Sequence, residues 1–310
     1  MLSEKAVVTG GTGFIGSHLS EELLRRGYHV TILDNFSTGR MSNIEWSSNT
    51  ENLELVRGNI LDQPLLKRVF DRATYVFHLA ALPSVLRSVT DPLASHEANA
   101  TGTLGILIAA RDCLVRKVIY SSSSSVYGNT PTLPKREDVV PSPLSPYAVS
   151  KLAGEHYCHA FQETYGFPTV CLRYFNVYGP RQNPSSQYAA VIPLFIRSIK
   201  RGVSPTIFGD GGQTRDFTFV KDVVEANILA AESDATGVFN IGRCEQVSLN
   251  RLVQITNSLA GKDIRPTYGN PRQGDIRHSL SDITHARGFG YNPQYGLEEG
   301  IKAIIDAEYA

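Results

Sequence analysis

The sequence predicts an α/β protein built on a doubly wound parallel sheet, and three observations predict it. Short apolar runs rich in Val, Ile and Leu alternate with segments of helical periodicity, the pattern of strand–helix–strand units. The first run, Lys5-Ala6-Val7-Val8-Thr9, leads straight into a glycine turn, after which Ile15, Leu19 and Leu23 recur at helical spacing. The second run, His29 to Leu33, ends in Asp34, about twenty residues beyond that turn. With 310 residues, 42% of them hydrophobic, the chain can bury the core of one large or two modest domains. A net charge of +0 without like-charge runs argues against nucleic acid and anionic membrane surfaces as partners. No run of about 18 apolar residues exists, so no membrane span is expected. The first strand begins at Lys5, leaving no room for a signal peptide. Cys113, Cys158, Cys171 and Cys244 lack metal-ligand spacing, so no metal is expected, and they fit a reducing, cytoplasmic setting.

Each element has its own reason. In Thr9-Gly10-Gly11-Thr12-Gly13-Phe14-Ile15-Gly16, Gly10 permits the tight turn, Gly13 lets backbone approach a pyrophosphate, and Gly16 lets helix pack on strand. The helix N-terminus offers unpaired N–H groups and a positive dipole end to phosphates. Asp34 stands where a carboxylate meets an adenosine ribose and repels a 2′-phosphate, which favours NAD over NADP, although Arg40 is near in sequence. Further strands are expected at Leu53–Val56, Tyr75–Leu79, Val118–Ser121 and Thr169–Arg173, with long helices from Leu93 to Cys113 and from Pro146 to Tyr165. Beyond Asn176, Pro180, Pro184, Pro193 and Pro205 and the Gly209-Asp210-Gly211-Gly212 turn break the pattern. Residues 1–175 with 216–241 are therefore expected to form a Rossmann-like dinucleotide-binding domain. Residues 176–215 with 242–310 form a smaller, mixed substrate-binding region over the carboxyl ends of the strands, where open α/β sheets bind ligands.

Tyr147 and Lys151, at i and i+4, share a helix face. A free tyrosine has a pKa of about 10 and is a poor base at neutral pH. A nearby ammonium and a positively charged nicotinamide ring favour its phenolate, which then takes a hydroxyl proton while hydride leaves the same carbon. Lys151 also suits the nicotinamide ribose. A third group must hold the reacting hydroxyl. Ser121–Ser125 follows a strand at its carboxyl end, and spacing alone does not choose among its five hydroxyls.

The glycine turn, Leu33-Asp34-Asn35-Phe36, His78-Leu79-Ala80-Ala81, Ser123-Ser124-Ser125-Val126-Tyr127-Gly128, Tyr147-Ala148-Val149-Ser150-Lys151 and Arg173-Tyr174-Phe175-Asn176 together resemble an extended short-chain dehydrogenase/reductase, most like the UDP-hexose 4-epimerases. The resemblance spans nearly the whole chain. It implies Ser123 as the catalytic serine beside Tyr147 and Lys151. It implies NAD contacts from Gly10, Gly13, Phe14, Ile15, Gly16, Asp34, Asn35, Asn59, Ile60, Leu79, Ala80, Ala81, Asn99, Tyr147, Lys151 and Tyr174. On the substrate side it implies Asn176 near the diphosphate, Phe208 against uracil, Arg215 and Arg272 on the diphosphate and Asp275 on the uridine ribose. Ser84, Ser123, Tyr147, Ala190, Val191 and Ser279 fall around the sugar. Arginine forks suit phosphate oxygens. Asn59 departs from the family's usual aspartate, and Pro83 from a lysine found in some members.

The implied reaction is NAD-dependent C4 epimerisation of a UDP-hexose through a transient 4-keto sugar. Ser279 stands where epimerases limited to plain hexoses resemble one another in carrying tyrosine, which leaves room here for an N-acetyl group. Gly179-Pro180-Arg181-Gln182-Asn183-Pro184 and Tyr188 to Pro193 also resemble the N-acetylhexosamine branch. UDP-N-acetylglucosamine and UDP-N-acetylgalactosamine are the expected pair, with UDP-glucose and UDP-galactose also open. A UDP-glucuronate 4-epimerase would want a cation near C6 of the sugar, which Arg181 or Arg87 could supply. A 4,6-dehydratase would want an Asp-Glu pair where Ser124-Ser125 stand. A non-enzymatic NAD sensor would not need Ser123, Tyr147 and Lys151 together. The helices around 93–113 and 146–165 resemble the family's dimer-forming pair, so a homodimer is expected.

Overall fold

The computed structural model describes residues 4–47, 51–183, 190–271 and 276–309. Its centre is a seven-stranded sheet of β1 (Lys5–Thr9), β2 (His29–Asp34), β3 (Leu53–Arg57), β4 (Tyr75–His78), β5 (Lys117–Ser123), β6 (Thr169–Tyr174) and β7 (Gly237–Ile241). Every pairing in it is parallel, and the spatial order is β7-β6-β5-β4-β1-β2-β3. The chain winds from β1 out to β3, then returns to place β4 on the other side of β1. This reversal opens a crevice at the carboxyl ends of β1 and β4, the switch point where such sheets bind ligands. β4 and β6 are buried along their full lengths, as a sheet covered on both faces requires, whereas the edge strand β3 is partly exposed.

The helices are α1 (Phe14–Arg25), α2 (Gln63–Phe70), α3 (Gly102–Asp112), α4 (Pro146–Tyr165), α5 (Val191–Lys200), α6 (Val220–Glu232), α7 (Leu249–Ala260) and α8 (Leu297–Tyr309), with shorter turns between them. α4 shows how local sequence sets an element. The Ser145 side chain accepts from the Ala148 amide, Pro146 occupies the first turn, and Gly166 in left-handed geometry ends the helix. On one sheet face Leu19 and Leu23 of α1 pack with Val223 and Ile228 of α6; on the other, Leu66 and Phe70 of α2 pack with Ile106 and Leu107 of α3. A third core joins Phe195 and Ile196 of α5 to Leu252 of α7 and Ile301 and Ile304 of α8.

The helix expected from Leu93 to Cys113 is instead three joined pieces: Pro92–His96, a π turn over Glu97–Thr101, and α3. The Thr103 hydroxyl donates to the Asn99 carbonyl at 2.5 Å, and a side chain competing in the backbone ladder accompanies the widened turn. Beyond Asp216 the chain does return to the main sheet, through α6 and β7. Among the described residues no helix is long and apolar enough to cross a membrane.

Candidate active site

The glycine turn closes on its neighbours. Gly10 has φ +72°, and a Cβ there would lie 2.7 Å from the Ala80 amide nitrogen. A Cβ on Gly16 would strike the Gly10 carbonyl oxygen, so Gly16 relieves the turn itself rather than the packing of helix on strand. The turn opens onto a cavity of about 520 Å³. Gly10, Gly13, Phe14, Ile15, Gly16, Asp34, Asn35, Asn59, Ile60, Leu79, Ala80 and Ala81 line it from the glycine turn, the start of α1 and the ends of β2, β3 and β4. Ser121, Ser122, Tyr147, Lys151, Tyr174 and Ala190 line it from β5, α4, β6 and the entry to α5.

Asp34 is buried, and two backbone amides fix its carboxylate. Thr12 N–H donates to Oδ2 at 3.0 Å and Phe36 N–H to Oδ1 at 2.8 Å. Each oxygen keeps a lone-pair direction for a ribose hydroxyl. The Asn59 Oδ1 accepts from Leu61 N–H at 3.1 Å, and its second lone pair can still meet an adenine amine. A glycine turn against a helix N-terminus, a fixed carboxylate and a Tyr–Lys pair line one cavity, and these residues fit NAD.

The serine run resolves into separate tasks. Ser121 Oγ lies 3.0 Å from the Tyr174 hydroxyl, which donates to Asn227 Oδ1 at 2.9 Å. Ser122 donates to Glu155. Ser123 is the one whose hydroxyl draws the Tyr147 phenol down against its burial, and it accepts from the Ser125 amide at 3.2 Å. Lys151 Nζ donates to the Ser121 carbonyl at 2.8 Å and sits 5.1 Å from the Tyr120 ring centre. Burial pushes the Tyr147 phenol up, and the Ser123 hydrogen bond opposes it. Burial pushes the Lys151 ammonium down to about 8, with Glu155 opposing. Desolvation dominates at both groups, so the lysine does not by itself turn Tyr147 into a phenolate. The positive charge of an oxidised nicotinamide ring has to supply the rest.

Other expected residues fall elsewhere. Asn99 does not line the cavity and is not a surface group. It is buried, its Oδ1 accepts from Leu82 N–H at 2.8 Å, and its Nδ2 donates to Leu82 O at 3.2 Å and Ser150 Oγ at 3.1 Å. It braces the cavity wall rather than touching what fills it. Ser84, at φ +96°, caps the short Val85–Thr90 helix by accepting from the Arg87 amide, outside the cavity lining. Asn176 donates to the Asp216 carbonyl at 3.1 Å. Phe208 lines a second recess, of about 420 Å³, with Tyr268, Gln213, Asp210 and Arg277. Arg215 lies in the short strand Thr214–Arg215, paired antiparallel with Val247–Ser248. Ser279 is buried, and its amide donates to the Thr214 carbonyl at 3.2 Å. Neither recess is lined by Asn176, Arg215 or Ser279. Val191 begins α5. Arg272 and Asp275 lie outside the described residues. Sequence reasoning missed Gln182 and Asn183, which also line the first cavity. Their position in the Gly179–Pro184 loop was the only signal.

The model of the NAD dependent epimerase/dehydratase family matches residues 6–242. The putative UDP-glucose 4-epimerase of Methanocaldococcus jannaschii is 39% identical over 302 residues, which covers 97% of each chain. The structure of UDP-N-acetylglucosamine 4-epimerase from Methanobrevibacter ruminantium M1, in complex with UDP-N-acetylmuramic acid, matches with a TM-score of 0.95 at 44% identity, over 99% of this chain and 98% of that one. UDP-glucuronic acid 4-epimerase from Bacillus cereus, in complex with UDP-glucuronic acid and NAD, matches with a TM-score of 0.91 at 35% identity over 98% of each chain. These relatives are named as UDP-sugar 4-epimerases, one of them putatively, and the matched NAD dependent family segment contains the glycine turn, Asp34, Ser123, Tyr147 and Lys151. The chain therefore belongs to the NAD dependent epimerase/dehydratase family of extended short-chain dehydrogenase/reductases and is an NAD-dependent enzyme.

Proposed function

We propose that the protein interconverts the C4 epimers of a UDP-hexose, with UDP-N-acetylglucosamine and UDP-N-acetylgalactosamine as the preferred pair and UDP-glucose and UDP-galactose also accepted. The observation that carries this reading is one cavity with the glycine turn and Asp34 in one part of its wall and Tyr147 and Lys151 in another. Bound NAD supplies reversible hydride acceptance at C4. Ser123 orients the C4 hydroxyl, Tyr147 takes its proton and later returns it, and Lys151 provides positive charge beside the phenol and a donor to the cofactor ribose. The keto sugar must turn over in the site, so the anchorage has to come from the nucleotide. The recess of Phe208 and Tyr268 suits a planar base, and Arg215, Arg272, Asn176 and Asp275 are assigned to the diphosphate and uridine ribose.

Two observations support an acetylated sugar. Ser279 puts a small side chain where a tyrosine would fill the C2 side, and the 44%-identical structural relative acts on UDP-N-acetylglucosamine. The uronate alternative has its own structural relative, but Arg181, one of its two candidate cations, is committed elsewhere. Arg181 pairs with Glu21 at 2.5 Å and lies 5.9 Å from the Trp46 ring centre. The division into residues 1–175 with 216–241 and residues 176–215 with 242–310 belongs to the same reading. Exposed Val85, Leu86, Val89, Leu93 and Val149 support a homodimer through α4 and the short helices after β4. Four free thiols support a cytoplasmic setting.

Proton NMR of separate incubations with UDP-N-acetylglucosamine, UDP-glucose and UDP-glucuronate tests the assignment. The reading predicts a C4 epimer from the first, with or without the second. Turnover of UDP-glucuronate alone overturns the sugar assignment, and no epimer from any of them overturns the reaction.

A further inference from the structure

Tyr147, Lys151 and Glu155 recur at every fourth position of α4, so they share one face. Two of them meet the end of β5 at consecutive residues: Glu155 accepts from the Ser122 hydroxyl, and Lys151 donates to the Ser121 carbonyl. The next serine, Ser123, draws the Tyr147 phenol down against its burial. Glu155 is only 4% exposed. Its other partner is Arg173 on β6, with Nε to Oε1 at 2.9 Å and Nη2 to Oε2 at 2.7 Å. Arg173 stacks over the Tyr127 ring at 4.6 Å, and among the described residues its Nη1 has no hydrogen-bond partner. A buried ion pair seldom repays its desolvation. Stability is therefore a weak reason for its placement.

We propose that Glu155 is a positioning residue for the catalytic pair, holding Ser122 so that Ser121 and Ser123 meet Lys151 and Tyr147, and keeping Lys151 protonated through its negative charge. The inference rests on the epimerase reading above. The titratable and charged groups facing Lys151 are Tyr147 and Glu155 on its own helix, Tyr120 on β5, His78 on β4 and, through Glu155, Arg173 on β6. Burial holds His78 neutral at about 3, its ring nitrogens lying 2.9 Å from the Thr9 and Thr103 hydroxyls. Tyr120 is held neutral by burial as well. Among these groups Glu155 alone opposes the loss of the Lys151 proton.

The test is Glu155→Gln, which keeps size and acceptor oxygen but removes the charge. Lys151 then loses its proton at lower pH. The alkaline limb of the kcat profile moves down by about one pH unit, so kcat falls about twofold at pH 7 and nearly tenfold at about pH 9, with KM for the UDP-sugar within about twofold. Glu155→Gln combined with Arg173→Met removes both charges and spares the fold an unpaired guanidinium. It shows the same displaced limb, and it decides the matter if the single variant does not fold. An unmoved limb in the folded variants, with or without loss of kcat, overturns the inference. Absence of epimerisation by the unsubstituted protein overturns the parent reading instead.

Discussion

Asn99 offers a sharp test of how the cavity is built. It is 1% exposed and joins two walls of the site. Its amide holds both backbone groups of Leu82, next to the cavity-lining Leu79–Ala81 segment. It also donates to Ser150, whose hydroxyl donates on to the Tyr147 carbonyl at 2.8 Å. Asn99→Ala removes three hydrogen bonds at about 1 kcal/mol each and leaves part of the Leu82 backbone unpaired, so a loss of about 2–4 kcal/mol is expected. The loss should divide between the fold and the cofactor, because the freed segment is the wall itself. Thermal unfolding with and without NAD reads both. The melting temperature of the cofactor-free protein should fall by several degrees, roughly 2–4 °C per kcal/mol or somewhat less for a chain of this size. The increment that NAD adds should shrink as well. Unchanged melting in both conditions would mean that water replaces the amide at no cost, and the bracing argument would fail.

Two other perturbations probe separate features. Ser279→Tyr should cut turnover of the N-acetylated sugar by roughly 100-fold and leave UDP-glucose within a few fold, since only the larger C2 substituent needs the space; equal loss on both sugars would remove Ser279 from the sugar wall. Lys151→Met should abolish turnover yet stabilise the cofactor-free protein at pH 7. Burial lowers Lys151 from 10.5 to about 8, so below pH 8 both folded and unfolded chains carry the proton and the fold bears the full penalty. Between pH 8 and 10.5 the unfolded chain binds more proton, native stability rises, and the advantage of methionine should fade. A variant less stable than the parent at pH 7 would contradict this.

The fold was largely legible because its strands are apolar runs with clear ends. β1 is found at its expected limits, and the helix starting at Pro146 carries its serine cap, proline and terminal glycine in the sequence. The π turn at Glu97–Thr101 was not legible, because it depends on a hydroxyl competing with the ladder and leaves helical periodicity almost intact. In the site, Gly10, Asp34, Tyr147 and Lys151 announce themselves by type and spacing. Spacing could not choose among the five serines, since the choice is made by which hydroxyl meets which partner across α4 and β6. The resemblance pointed to Ser123, the serine that perturbs the Tyr147 phenol. Glu155 and Arg173 were invisible for the same reason. A glutamate on a helix and an arginine at the end of a strand read as surface charges until their mutual burial is seen. The Tyr-x-x-x-Lys-x-x-x-Glu spacing was the available hint. Of the residues assigned to the nucleotide, Phe208 and Arg215 sit on short strands, where tertiary pairing rather than periodicity sets position.

The central claim is that C4 is oxidised and reduced again at the same carbon within one site. The direct measurement uses UDP-N-acetylglucosamine carrying deuterium at C4, incubated with the protein and NAD, with Tyr147→Phe as a parallel sample. The account predicts the C4 epimer with deuterium retained at C4, no net NADH, and loss of turnover of about 10²-fold or more in the variant, which still binds NAD. Deuterium lost to water, net NADH, or an epimer formed equally fast without the Tyr147 hydroxyl would contradict it.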